Sequence, residues 1–156
     1  MPADTNHLKL FQSVTLSGAS VTSNTLSTSF DAYLVVFDKA RATSGNFYIQ
    51  FNGDSGSNYN YITLTTTTLA SSTGQTSIVL LPDQTDLHGS ISFVRPAPGS
   101  GAHGVACSLS NPDFSKALAL KGNWTNTAAI TSITFGDSGG GASLSGKAFI
   151  YGYTDQ

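Results

Sequence analysis

With 156 residues, seven Lys plus Arg against nine acidic residues, and a net charge of −2, the chain is only 10% charged, against roughly 25% in an average globular protein. That balance offers no basic field for a phosphate backbone, no run approaches the ~18 apolar residues of a membrane span, and the length suits one domain around one core. All nine acids are Asp, and the deficit in charge is filled by 22 Ser, 19 Thr, 16 Gly and 9 Asn, residues that favour strands, turns and loops over helix interiors.

Ser- and Gly-rich chains can fail to fold, but 39% hydrophobic content with aromatics spaced singly along the chain is what a packed core needs. The opening MPADTNHLKLF has neither the basic nor the apolar region of a secretory signal. The product is expected to be made and kept in a cytosol, or to leave it by a route other than secretion. The lone initial methionine predicts that residues 1–156 form the whole product, a single domain.

From there, period-two alternation bounded by Gly, Pro, Asn, Asp or Ser predicts strands over 8–16, 21–28, 32–38, 46–52, 59–65, 76–81, 89–95, 104–109, 117–121, 129–135 and 144–153. Phe47, Ile49 and Phe51 should face one way, and Tyr48, Gln50 and Asn52 the other, as in a strand covered on one side. Tyr33 to Phe37 (YLVVF) and Ser77 to Leu81 (SIVLL) are apolar on both faces, which predicts positions inside a sheet or under a subunit contact. A turn over Asp83 to Leu87 is the one helical candidate, and Pro96 to Gly104 reads as a long surface loop. Many short strands with turns every 8 to 14 residues predict an all-β antiparallel sandwich of about 8–11 strands.

Asn52-Gly53-Asp54-Ser55-Gly56-Ser57-Asn58 places oxygen ligands around glycines, loosely like a calcium loop. No Glu is present to close such a loop, and Asn-Gly between strands is what a hairpin requires. Cys107 alternates with Val105 and Leu109 as a small buried hydrophobe, and His7, His88 and His103 lack metal-ligand spacing. No metal or cofactor is expected, and no nucleic-acid or membrane partner. The sequon Asn123-Trp124-Thr125 has no secretory signal to give it meaning.

Gly136-Asp137-Ser138-Gly139-Gly140 resembles the nucleophile motif of chymotrypsin-like serine proteases, in which the Ser attacks and loop amides hold the oxyanion. None of the three histidines has that family's Ala-Ala-His-Cys setting, and sixteen residues after Gly140 cannot complete the second barrel. The expectation is a flexible turn feeding the last strand, with no catalytic residue. Aromatics beside amides could instead form a carbohydrate site, since sugar faces stack on rings. Its candidate contacts are Tyr48, Asn58, Tyr59, Asn60, Tyr61 and Trp124, residue types that also serve at protein interfaces.

From Phe30 onward the order of landmarks resembles a group of small β-rich bacteriophage virion proteins and tail-protein domains. The resemblance is carried by FDAYLVVFDKA (Phe30 to Ala40), FYIQFNGDSGSNYNY (Phe47 to Tyr61), GNWTNTAAITSITF (Gly122 to Phe135) and GKAFIYGY (Gly146 to Tyr153). It covers about three-quarters of the chain and leaves residues 1–29, an N-terminal arm with the first strands, outside. It implies a jelly-roll-like sandwich built into a virion, commonly as a homotrimer, with the major capsid protein or other virion proteins as partners. A short self-standing domain suits a decoration or cement protein on the capsid exterior, made in the host cytoplasm, better than a tail-fibre segment. A weakly charged surface of short side chains suits such packing, since it loses little rotamer entropy and buries few unpaired ions. The alternatives are a receptor-binding tail or head-fibre domain recognising host glycans, and, remotely, the serine hydrolase.

Overall fold

Alternation of apolar and polar residues becomes alternation of inward and outward side chains in the structure, a computed structural model that describes residues 8–81, 86–94, 102–112, 115–139 and 144–153. Twelve strands and no helix lie among these residues: β1 (Lys9–Thr15), β2 (Ser20–Thr22), β3 (Ala32–Ala42), β4 (Phe47–Phe51), β5 (Tyr59–Thr65), β6 (Leu69–Gln75), β7 (Ile78–Leu81), β8 (Leu87–Val94), β9 (His103–Ser110), β10 (Ala117–Trp124), β11 (Ile133–Asp137) and β12 (Leu144–Tyr153). Every pairing is antiparallel. Eight strands form a large sheet in the order β1-β12-β3-β8-β9-β10-β5-β6, and four form a small one in the order β2-β11-β4-β7.

The two sheets share one core, which makes the fold an antiparallel, jelly-roll-like β-sandwich. The chain crosses repeatedly between layers, and among its pairings only β5–β6, β8–β9 and β9–β10 join consecutive strands. Aromatic rings stitch the layers. Phe37 of the large sheet meets Phe47 and Phe135 of the small one at 5.6 and 6.0 Å between centroids. Phe51 of the small sheet meets Phe93 and Trp124 of the large one at 5.0 and 5.8 Å.

Most expected strands are present, including the inward Phe47, Ile49 and Phe51, and Cys107 is buried as expected. Burial pushes the Cys107 thiol up to about 12, despite a hydrogen bond with the Leu120 backbone that acts the other way. YLVVF lies in β3, an interior strand of the large sheet. SIVLL does not: β7 is an edge strand, bonded to β4 alone. β6 was not expected, because its sequence LASSTGQ is nearly all exposed and carries no inward apolar stripe. The strand expected at 21–28 stops at Thr22, where the Ser23 hydroxyl takes the Ile133 amide (3.0 Å). The expected helical turn falls mostly outside the described residues, with Leu87 already in β8, and so does most of the Pro96 to Gly104 loop, whose last residues His103 and Gly104 open β9.

The NGD turn forms, but it does not join a hairpin. Asn52 (φ 56) and Gly53 (φ 65) are both left-handed, as a type I′ turn requires, and the Asp54 amide returns to the Phe51 carbonyl (2.9 Å). β4 and β5 nevertheless belong to different sheets, so the turn begins a crossover. The side chain of Asn52 explains the departure. Its Oδ1 accepts from the amides of Thr131 (2.7 Å) and Ser132 (3.1 Å), and its Nδ2 donates to the Ala129 carbonyl (2.8 Å), which ties the end of β4 to the segment before β11.

Candidate functional site

Residues proposed from sequence for a sugar site are brought together, but inside the protein. Tyr59 and Trp124 lie opposite each other in the register of β5 and β10 and stack at 6.5 Å, both 0% exposed. Their polar atoms are spent internally. Tyr59 Oη accepts from the Phe51 amide (2.9 Å) and donates to the Asp54 carbonyl (3.0 Å), and burial raises its pKa above the ordinary tyrosine value. Trp124 Nε1 donates to Asp54 Oδ2 (2.7 Å), which also accepts from Asn58 Nδ2 (2.9 Å) and Asn126 Nδ2 (3.3 Å).

Tyr61 is buried too, and Tyr48 lies on the small sheet with its ring against Gly136. The expectation of ring faces open to a sugar is therefore corrected for Tyr59, Tyr61 and Trp124: strand alternation turns them inward, leaving Asn60 and Ile62 outward. The calcium alternative meets the same cluster. Asp54 faces four donors, counting the Gly56 amide on Oδ1 (2.8 Å), and a cation would need acceptors there. Burial alone would raise the Asp54 pKa, but these four hydrogen bonds together hold it below its ordinary value.

The protease-like string is a structural clamp. Asp137 is buried, with Oδ2 accepting from the Ser44 amide (3.1 Å) and Oδ1 from the Gly139 amide (2.9 Å). Ser138 Oγ accepts from the Asn46 amide (2.9 Å). Neither described histidine is its partner: His88 Nδ1 faces Asp38 at 4.0 Å, and His103 packs against Trp124 with 5.0 Å between centroids. His7 and Gly140 lie outside the described residues.

What stands open is the outer face of the large sheet. Because Val35, Ile91, Val105, Cys107, Leu118, Leu120 and Tyr61 point inward, their strand neighbours point out. Register aligns them in two rows. One runs Leu34, Ser92, Ala106, Lys121, Ile62, Ser71; the other runs Val36, Ser90, Ser108, Ala119, Leu64, Leu69. Small side chains at the centre, with Ile62 (51% exposed) and Leu64 (54%) on one flank, leave a trough of about 510 Å³. Two further hollows, of about 500 and 280 Å³, adjoin it, and Lys121 lines all three. Across β5, β6, β8, β9 and β10, Lys121 is the only Lys, Arg, Asp or Glu. The sequence reading missed this face. Its signal is the pairing of Ser and Ala with apolar residues at outward positions of SISFV, ACSLS and ALALK, where charge is usual.

No family model matches the chain, and no curated protein matches it. Among solved structures, galectin LEC-6 of Caenorhabditis elegans is similar with 15% identity and a TM-score of 0.42, over 88% of this chain and 94% of the galectin. A likeness at that level bears on neither ligand nor partner.

Proposed function

We propose that the chain is a structural subunit of a bacteriophage particle, a decoration or cement protein that binds the assembled capsid as an oligomer. The observation that carries the binding part of this reading is the outer face of the large sheet, with a single cation across five neighbouring strands and an apolar flank at Ile62 and Leu64. Covering such a face leaves one ammonium, Lys121, for the partner to pair, and apolar area removed from water contributes about 25 cal/mol per Å² before the costs of association. The virion as setting is supported by the resemblance described from Phe30 onward. The receptor-binding alternative is weakened by the inward rings of Tyr59, Tyr61 and Trp124.

The test is co-sedimentation with empty heads and, separately, with isolated tails. The proposal expects binding to heads, lost when Ala119→Asp places a carboxylate in the trough while the melting temperature holds. Binding to tails alone would move the protein to the other end of the particle, and binding to neither would end the proposal.

A further inference from the structure

Each sheet has two edges, and three of the four carry a device that discourages pairing. β1 has an exposed Lys9 and a break in register between Leu10 and Gln12. β2 is three residues long. Beside β7, the Val79 amide turns to the Tyr61 hydroxyl (3.5 Å), and Gln50 Nε2 covers the Thr76 carbonyl (3.0 Å).

β6 differs in where its break falls. From Leu69 to Ser72 it stays in register with β5, without Lys or Pro, the shift in register comes only between Ser72 and Gln75 at the far end, and Leu69 is 70% exposed. The Thr65 amide closes the hairpin on the Thr68 carbonyl (2.9 Å). Antiparallel pairs alternate between bonded and unbonded, so the backbones of Leu69 and Ser71 face away from β5. The edge belongs to a longer uncharged stretch, since no charged residue occurs between Asp54 and Asp83.

We infer that β6 is a self-association edge, pairing antiparallel with β6 of a second copy across a two-fold axis so that two large sheets become one. In a two-fold contact the residues at the axis meet their own twins, so a charge near it would oppose its own sign, and this edge has none. A partner recognised by charge would need a charge to meet. The inference deepens the assembly reading proposed above and rests on it for its purpose, though not for its geometry. It gives a dimer, where the resemblance implies a trimer.

Light scattering after size exclusion tests it on the full chain. The expected mass is twice 16.2 kDa, falling to one copy in Ser71→Pro and in Leu69→Lys but unchanged in Ser13→Lys on β1. Ser71 suits proline because its amide makes no bond to β5. Hydrogen exchange on the unaltered protein is independent of any variant's folding: the Leu69 and Ser71 amides should slow as concentration rises. A monomer at all concentrations, a trimer, or a dimer indifferent to both β6 substitutions would overturn the inference, as would dissociation by Ser13→Lys, which would mean head-to-tail pairing of β1 with β6. Co-sedimentation with heads separates the two readings. A monomer that still binds heads removes the β6 contact alone, and a dimer that ignores heads removes the capsid role alone.

Discussion

Trp124 Nε1 donates a 2.7 Å hydrogen bond to Asp54 Oδ2, joining the end of β10 to the turn that leaves β4. That bond holds the place where the chain passes from the small sheet to the large one. The same oxygen takes Asn58 and Asn126, so one carboxylate gathers both connections.

Asp54→Asn keeps the volume but sets an amide group against several donors. A hydrogen bond to a charged group contributes about 1.5–3 kcal/mol, and a loss of that size is expected in urea unfolding. Trp124→Phe should cost a similar amount plus a packing defect. In the double variant the costs should fall short of additive by about 1–2 kcal/mol. Simple additivity would show that the bond contributes nothing of its own.

Fold class was legible in the sequence because inward and outward positions alternate so regularly: Phe47, Ile49 and Phe51 declare a half-covered strand from their spacing alone. β6 was not legible, since an edge strand whose side chains are nearly all exposed has no periodic burial to display. The expectation of open ring faces failed on parity for Tyr59, Tyr61 and Trp124. Tyr59 and Tyr61 look like a surface pair beside asparagines until the register sets Tyr59 against Trp124 and turns both inward. The open face escaped notice for the converse reason: its outward residues are small and individually ordinary, and only pairing three strands places Ser90, Ser92, Ala106, Ser108 and Ala119 side by side.

Stability should fall with acid in two stages. His103 is 1% exposed, its ring packed against Trp124 with 5.0 Å between centroids. Burial disfavours its imidazolium and outweighs the opposing pull of the Ala128 and Asn126 backbone, so its pKa lies below the ordinary 6.5. Above 6.5 both folded and unfolded chains leave this ring neutral. Below it the unfolded chain takes a proton that the fold refuses, and stability drops by at most about 1.4 kcal/mol per pH unit. Asp54 has the opposite sign of charge but the same direction of effect. Its depressed pKa stabilises the fold above 3.8, and that contribution is lost as pH falls through the lower, folded value. Urea midpoints measured from pH 8 to pH 3 should show both stages, and His103→Phe should abolish the first while sparing the second. An unchanged first stage in that variant would assign it to another group.

For the Asp137-Ser138 string the structure predicts opposite sensitivities to substitution. Asp137→Ala should destabilise by about 1–3 kcal/mol, because the amides of Ser44 and Gly139 lose their acceptor. Ser138→Ala removes only the exposed link to the Asn46 amide and should cost less than about 1 kcal/mol. A fluorophosphonate probe should leave Ser138 unlabelled in the unaltered protein. Covalent labelling there would restore the hydrolase.

Gly136, the first residue of that string, is required by its cross-strand neighbour rather than by chemistry. A Cβ at this position would stand 2.2 Å from Cζ and 2.3 Å from Oη of Tyr48, so the ring occupies the space any side chain would need. Gly136→Ala therefore forces the ring outward or bends β11, at a cost of about 1–3 kcal/mol. In a chain of this size each kcal/mol lowers the melting temperature by about 2–4 °C. Tyr48→Ala empties the same space, so the double variant should melt above the Gly136→Ala single variant. If Gly136→Ala melts like the unaltered protein, the packing of Tyr48 on this glycine is not what fixes the residue. If the double variant falls by the sum of the two single losses, the collision with the ring is not what destabilises it.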